Sequence, residues 1–283
     1  MHKKSNKKYK YNNSKKKIMI LLTDKELIEI NKGYKKHVNP YVISGYRKPC
    51  NCYHECFESI FSEHNETINI WTHLLGIIIF LYYYFYILTY KKLDKIDKIV
   101  VTIYFITILL LLFFSTLYHT MISHSVKVAD TCQCIDWFFV CVTILVYSFF
   151  VSYFELYKTG FQKYFYIFNV ILILFFIFLS HKIQDLLTSP EDTTDIQTFI
   201  LSSFSSFVLI AWIIHYILDN KNTKIENLYG ILLAYLFYST VFLKINSIPE
   251  CLSPGTFDIF GYSHQIFHIG ILFGIYTLFT TYV

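Results

Sequence analysis

In the stretch GYSHQIFHIG, residues 261–270, two histidines stand four residues apart inside an otherwise apolar run. On a helix, positions i and i+4 share one face a turn apart, so His264 and His268 can offer two imidazole nitrogens to one partner. A third imidazole, His119, closes the apolar run ending in STLYHT, residues 115–120. Three histidines with a fourth position left to water make a catalytic-type zinc set. A histidine ligand normally passes its other ring nitrogen to an acceptor, and Asp136, in CIDWFF at residues 134–139, is the carboxylate expected in that role. Ser115 lies four residues before His119 on the same face, placed to bond the site or a substrate carbonyl. For any one of these histidines the alternative is an interface side chain that snorkels or bonds backbone.

Positioning such residues takes helices that cross a bilayer. Of the 283 residues, 54 % are apolar and 16 % charged, with 28 Phe and 25 Tyr, which is too apolar and too charge-poor for a soluble surface. Seven apolar runs lie near 69–90, 99–119, 135–155, 163–181, 199–218, 228–246 and 264–283. Each suits a hydrocarbon core of about 30 Å, which needs roughly 20 helical residues. The short-segment alternation of a β-barrel is missing. The expected fold is therefore an all-α membrane protein. It is a seven-transmembrane-helix bundle with an inside N-terminus and a short amphipathic helix, within 51–67, before the first span. In such a chain the starts of spans one, three and seven and the end of span two share one side. HNETINIWTHLLG (64–76), CIDWFF, SHQIFH and STLYHT stand at those four places, so the histidines and acids converge on one face.

Residues 1–50 read as a basic, largely disordered cytosolic tail and 51–283 as the transmembrane domain. More than half of the 25 Lys and Arg residues precede residue 68. That excess places the N-terminus inside, although the connecting loops alone lean mildly the other way. Beside a membrane span the tail is expected to meet anionic lipid, at about 1 kcal/mol per basic residue, rather than nucleic acid. No cleavable apolar leader opens the sequence, and no feature specifies which membrane it enters. The thiols of CNCYHEC, residues 50–56, are spaced irregularly for zinc and read as reduced or S-acylated. His64 and His73 read as helix-start and interface residues, His124 as solvated, and His181 and His215 as misplaced or unpartnered.

ESIFSEHNETINIWTHLLG, STLYHTMISHSVKV, the CIDW step and IPECLSPGTFDIFGYSHQIFH follow one another across the seven runs. In these motifs residues 44–283 resemble the progestin and adiponectin receptor family, adiponectin-receptor-like members above all, with haemolysin III-like proteins as more distant relatives. The resemblance implies a zinc ion near the cytosolic end, held by His119, His264 and His268, with Asp136 at the water on the metal and Ser115 beside it. It also implies hormone or ligand signalling and ceramidase-like amide hydrolysis. Phe138 and Phe139 stand where many members carry a small glycine, and are expected to narrow the pocket. Short outer loops weigh against a protein hormone, and no protein ligand is assigned. Two functions follow. One is a zinc-dependent hydrolase acting on ceramide or a related N-acyl lipid, with Asp136 as general base and Ser115 steadying the oxyanion. The other is a signalling receptor or membrane-lipid homeostasis protein whose zinc is purely structural.

Overall fold

The computed structural model describes residues 19–188, 209–219, 221 and 224–283. From residue 19 on, the expected tail carries elements of its own. Strand β1 (Leu21–Leu22) pairs antiparallel with β2 (Tyr46–Arg47), and α1 (Asp24–Ile30) lies between them. Thr23 starts α1 with a capping box: its side chain accepts from the Glu26 amide while the Glu26 carboxylate reaches back to the Thr23 N–H. Sparse apolar residues, Leu27, Tyr34, Val42 and Tyr46, bury themselves together with Tyr262 from the far end of the chain. The expected amphipathic helix is short. It consists of α2 (Tyr53–Glu58) and a 3₁₀ turn (Ser59–Phe61), after which Ser62 adopts extended backbone. Residues 1–18 lie outside the described residues.

Backbone in hydrocarbon must bond to itself, and the apolar runs are helical for that reason. Among the described residues five helices are long and apolar enough to cross a membrane. They are α3 (Thr67–Tyr90), α4 (Lys95–Met121), α5 (Val126–Ser152) with its π-helical continuation to Tyr157, a span from Ile225 to Ile245, and α10 (Ser263–Tyr282). The Ile225–Ile245 span is made of α8 (Ile225–Tyr238) and α9 (Thr240–Ile245), which meet at Ser239. Two further helices, α6 (Gln162–Thr188) and α7 (Leu209–Leu218), precede it. The first part of the run expected at 199–218 lies outside the described residues. The chain is an all-α, multi-pass membrane protein.

Caps set where the spans begin. The Asp94 carboxylate accepts from the Asp97 amide at α4, and the Ser125 hydroxyl from the Val128 amide at α5. Aromatic rings fill the core: Tyr104 stacks on Phe150 with centroids 4.5 Å apart, and Phe279 lies 4.6 Å from Phe105. Large apolar side chains such as Ile78, Leu174 and Leu236 face outward, as a lipid-facing surface requires.

The two ends of the bundle differ. At one, the π-turn brings buried Glu155 to His215 (2.7 Å), Asn227 (2.6 Å) and Tyr282 (2.8 Å), tying α5, α7, the start of α8 and the end of α10 together. His215, read from sequence as misplaced or unpartnered, thus has a carboxylate partner, supplied from 60 residues away in the chain. At the other end, the first turn of α3, the last of α4 and the first turns of α5 and α10 meet beneath the amino-terminal segment and the α9–α10 loop.

Candidate metal centre

His119, His264 and His268 come together there. Their ligand atoms all lie within 4.8 Å of one another, and among the described residues theirs is the one such cluster of histidine, cysteine or acid side chains. Nε2 of His119 stands 3.4 Å from Nε2 of His264. Two nitrogens bound at about 2.0–2.1 Å to one tetrahedral zinc are about 3.4 Å apart, so this pair already has the spacing of shared ligands. On the far side of the His119 ring, Nδ1 meets the Glu66 carboxylate at 2.8 Å. A proton held on Nδ1 by that carboxylate leaves the Nε2 lone pair facing the other two imidazoles. The donor set, its spacing and the carboxylate behind His119 suit a metal ion.

Glu66 occupies the N-cap position of α3, yet its side chain makes no capping bond. It turns inward and also accepts from Asn69 (2.6 Å) and Asn65 (3.2 Å). Burial pushes its carboxyl up, but the His119 imidazole, the Asn69 amide and the Arg47 guanidinium outweigh burial and hold it down at about 2. Asp136 was the carboxylate expected behind a histidine; Glu66 fills that place. The sequence signal was the carboxylate in HNETIN, which resembles ordinary helix-start chemistry until its partner, 53 residues away, is known.

The α10 histidines are oriented by their own neighbours. The Glu250 carboxylate accepts from the Ser263 amide (2.8 Å) and hydroxyl, placing an anion at the N-terminus of α10. Gln265, between the two histidines, donates to the Ile259 carbonyl (2.7 Å) and accepts from the Gly261 amide (2.6 Å), which pins the preceding loop. His268 lies face to face with His73, centroids 3.9 Å apart and planes 8° from parallel, and its Nδ1 is 3.5 Å from the Thr72 hydroxyl. His73, read from sequence as an interface residue, is therefore part of the site's wall. Both its ring nitrogens are buried without a hydrogen-bond partner among the described residues.

A cavity of about 400 Å³ adjoins the cluster. Asp136 and Ser115 line it beside His119, His264 and His268. Asp136 Oδ1 is buried with no hydrogen-bond partner among the described residues. An apolar limb runs down to Tyr104, Tyr147 and Ile275. Tyr104 precedes His119 by 15 positions on α4, about 22 Å along a helix at 1.5 Å per residue. Phe138 and Phe139, expected to narrow this space, do not line it. Phe138 points outward, 55 % exposed, and Phe139 stacks on Phe114 at 4.5 Å. Their turn of α5 presents Asp136 and Val140 to the cavity instead.

The remaining candidates fall elsewhere. His64 bonds backbone, with Nε2 3.1 Å from the Ser59 carbonyl and Nδ1 accepting from the Glu66 amide. The ring of His124, read as solvated, packs on Tyr53 at 4.1 Å. Cys50 and Cys56 approach to 3.5 Å as free thiols.

Comparison with known proteins relates the sequence to a known family. A family model described as haemolysin-III related matches residues 61–279, a range holding all three histidines, Glu66, Ser115 and Asp136. The chain is 31 % identical over 242 residues to an adiponectin receptor protein of Drosophila melanogaster, covering 83 % of this chain and 53 % of that protein. It is 27 % identical over 247 residues to the ADIPOR-like receptor IZH2 of Saccharomyces cerevisiae, covering 81 % and 74 %. With progestin and adipoQ receptor family member 3 of Homo sapiens it shares 26 % identity over 249 residues, 82 % and 76 % of the two chains. It spans about half the length of several curated relatives it matches. On these grounds the chain belongs to the haemolysin-III related family, among relatives named for adiponectin and progestin receptors.

Proposed function

We propose that this protein is a seven-span, receptor-like membrane protein with a cytosolic amino terminus, whose His119, His264 and His268 hold zinc and which hydrolyses the amide bond of a ceramide-like N-acyl lipid. The observation that carries the reading is a buried carboxylate, Asp136, whose Oδ1 has no hydrogen-bond partner among the described residues, sharing one cavity with a three-histidine cluster that no fourth His, Cys, Asp or Glu among the described residues joins. Three ligands leave a coordination position free, as hydrolytic zinc sites do. The lysine-rich amino-terminal segment supports the orientation.

Zinc in this place supplies a Lewis acid that polarises a carbonyl and lowers the pKa of water. The chain's own residues divide the rest. Asp136 Oδ1 takes the proton from the attacking water and returns it to the leaving amine. The Ser115 hydroxyl donates to the oxygen on which negative charge develops. Glu66 keeps His119 in the ligating tautomer, and the apolar limb takes the acyl chain and keeps bulk water out.

The receptor names of the relatives support a second reading, in which zinc staples α4 to α10 and the lipid is a signal rather than a substrate. Metal analysis with a lipid-amidase assay separates the two. The wild-type protein should carry about one zinc and His268→Ala should lose it. Asp136→Ala should keep the zinc while turnover falls about 10²- to 10⁴-fold. Unchanged turnover in Asp136→Ala dismisses the hydrolase mechanism.

A further inference from the structure

One lysine faces the cavity with no carboxylate among the described residues at ion-pair distance. Lys244, near the end of α9, lines the same space as Asp136, His264 and His268. Its Nζ lies 5.0 Å from the ring centre of Phe267 and 5.5 Å from that of Trp137. Phe267 stands between the two α10 histidines in sequence and Trp137 follows Asp136, so the ammonium sits at the polar end of the cavity, not along its apolar limb. Lys36, the other lysine lining the cavity, is paired with Asp130 at 2.7 Å. Among the described residues no carboxylate lies within 4.0 Å of Lys244. The two ring faces attract a cation but leave its three N–H donors without strong acceptors. Asp136 is the carboxylate whose charge reaches this partly buried ammonium, from beyond 4.0 Å, so a counter-charge in direct contact is missing among the described residues.

We propose that Lys244 recognises an anionic group on the lipid in the cavity: the preferred ligand is an N-acyl lipid bearing a carboxylate or phosphate on the amine side of its amide, rather than a neutral ceramide. This rests on the lipid-amide reading above and names its substrate class. With the acyl chain in the limb toward Tyr104 and the carbonyl at the histidines, the amine side points to the end lined by Asn39, Lys244 and Ser247. An oxyanion there meets a charged donor in a low-dielectric wall, where such bonds are about twice as strong as neutral ones.

Binding to the zinc-loaded full-length protein in detergent tests this, by displacement of a fluorescent fatty-acyl probe with N-oleoylglycine, N-oleoyl ceramide 1-phosphate or N-oleoyl ceramide. At least one anionic competitor should bind about tenfold more tightly than ceramide, and which one does so tells carboxylate from phosphate. Lys244→Met should bring that ratio to about one, and Lys244→Arg should keep it, with zinc content equal in both. Equal affinities in the wild-type protein overturn the proposal without any variant having to fold. A preference that survives Lys244→Met overturns it too, and marks a lysine that only snorkels toward head-group water. Displacement needs no turnover. An anion preference without hydrolysis removes the hydrolase reading alone, and ceramide hydrolysis without the preference removes this inference alone.

Discussion

Glu66 shows how much one side chain outside the ligand set can decide. Its carboxylate is buried, meets His119 at 2.8 Å, and is itself held by Asn69 and Asn65. Glu66→Gln preserves shape but removes the charge that keeps the His119 proton on Nδ1. Zinc affinity should fall about 10- to 100-fold, measured by competition with a chelator, while Asp136→Asn should leave it nearly unchanged. A larger loss in Asp136→Asn would reverse the roles assigned to the two acids. The pairing of His264 with His268 was legible in the sequence, because a four-residue spacing on a helix needs no knowledge of the rest of the chain. Glu66 was not, because a carboxylate at a helix start has a local explanation that is complete without His119. His73 was hidden for a related reason: nothing in THLLG distinguishes a ring turned to the head groups from one stacked on His268.

At the scale of elements, the histidines of α10 are only as well placed as α10 itself. Gly270 and Gly274, one turn apart, let that helix approach the α8–α9 span closely. A Cβ at Gly274 would meet the Tyr238 ring at 2.5 Å, and one at Gly270 would meet the Phe237 carbonyl at 2.7 Å and the Thr240 hydroxyl at 2.2 Å. Small residues at this spacing let helices pack by van der Waals contact where lipid offers no hydrophobic drive. Gly274→Leu should therefore force the two spans apart at an overpacking cost of about 1–3 kcal/mol, read as an earlier melting transition in detergent, with zinc lost at a lower chelator concentration. A melting curve that does not shift would show that α10 is placed by its capping contacts with Glu250 instead. The helices were readable as apolar runs long before their partners were. The amino-terminal segment was not, because its lysines and asparagines dominate the composition while the four apolar residues that fold it are spread from Leu27 to Tyr46 and complete their core on Tyr262.

Across the whole molecule, the stretch from Lys36 to Tyr46, read as part of a tail, covers the polar end of the cavity. Asn39 reaches Glu250 at 2.9 Å, and the Ile43 amide and Ser44 hydroxyl reach Asp258 at 2.9 and 2.6 Å. His37 anchors its middle to α4 and α5, with Nδ1 3.3 Å from the Tyr118 hydroxyl and Nε2 2.8 Å from Asp130. Burial lowers the His37 pKa, outweighing the Asp130 carboxylate that raises it. The closed cover therefore refuses a proton that an opened one, with an ordinary value near 6.5, accepts. Its stability is fully present above about 6.5 and declines as pH falls toward the lowered value, by at most about 1.4 kcal/mol per pH unit. Tyr34, packed against His37, is pushed up to about 12 by burial and stays neutral through that window. Amide exchange in residues 32–47, corrected for its intrinsic pH dependence, should thus accelerate between pH 7 and pH 5. His37→Asn, which keeps a polar side chain that cannot titrate, should flatten that response. An identical profile in the variant would mean that another group holds the cover, and that acid does not open this route to the histidines.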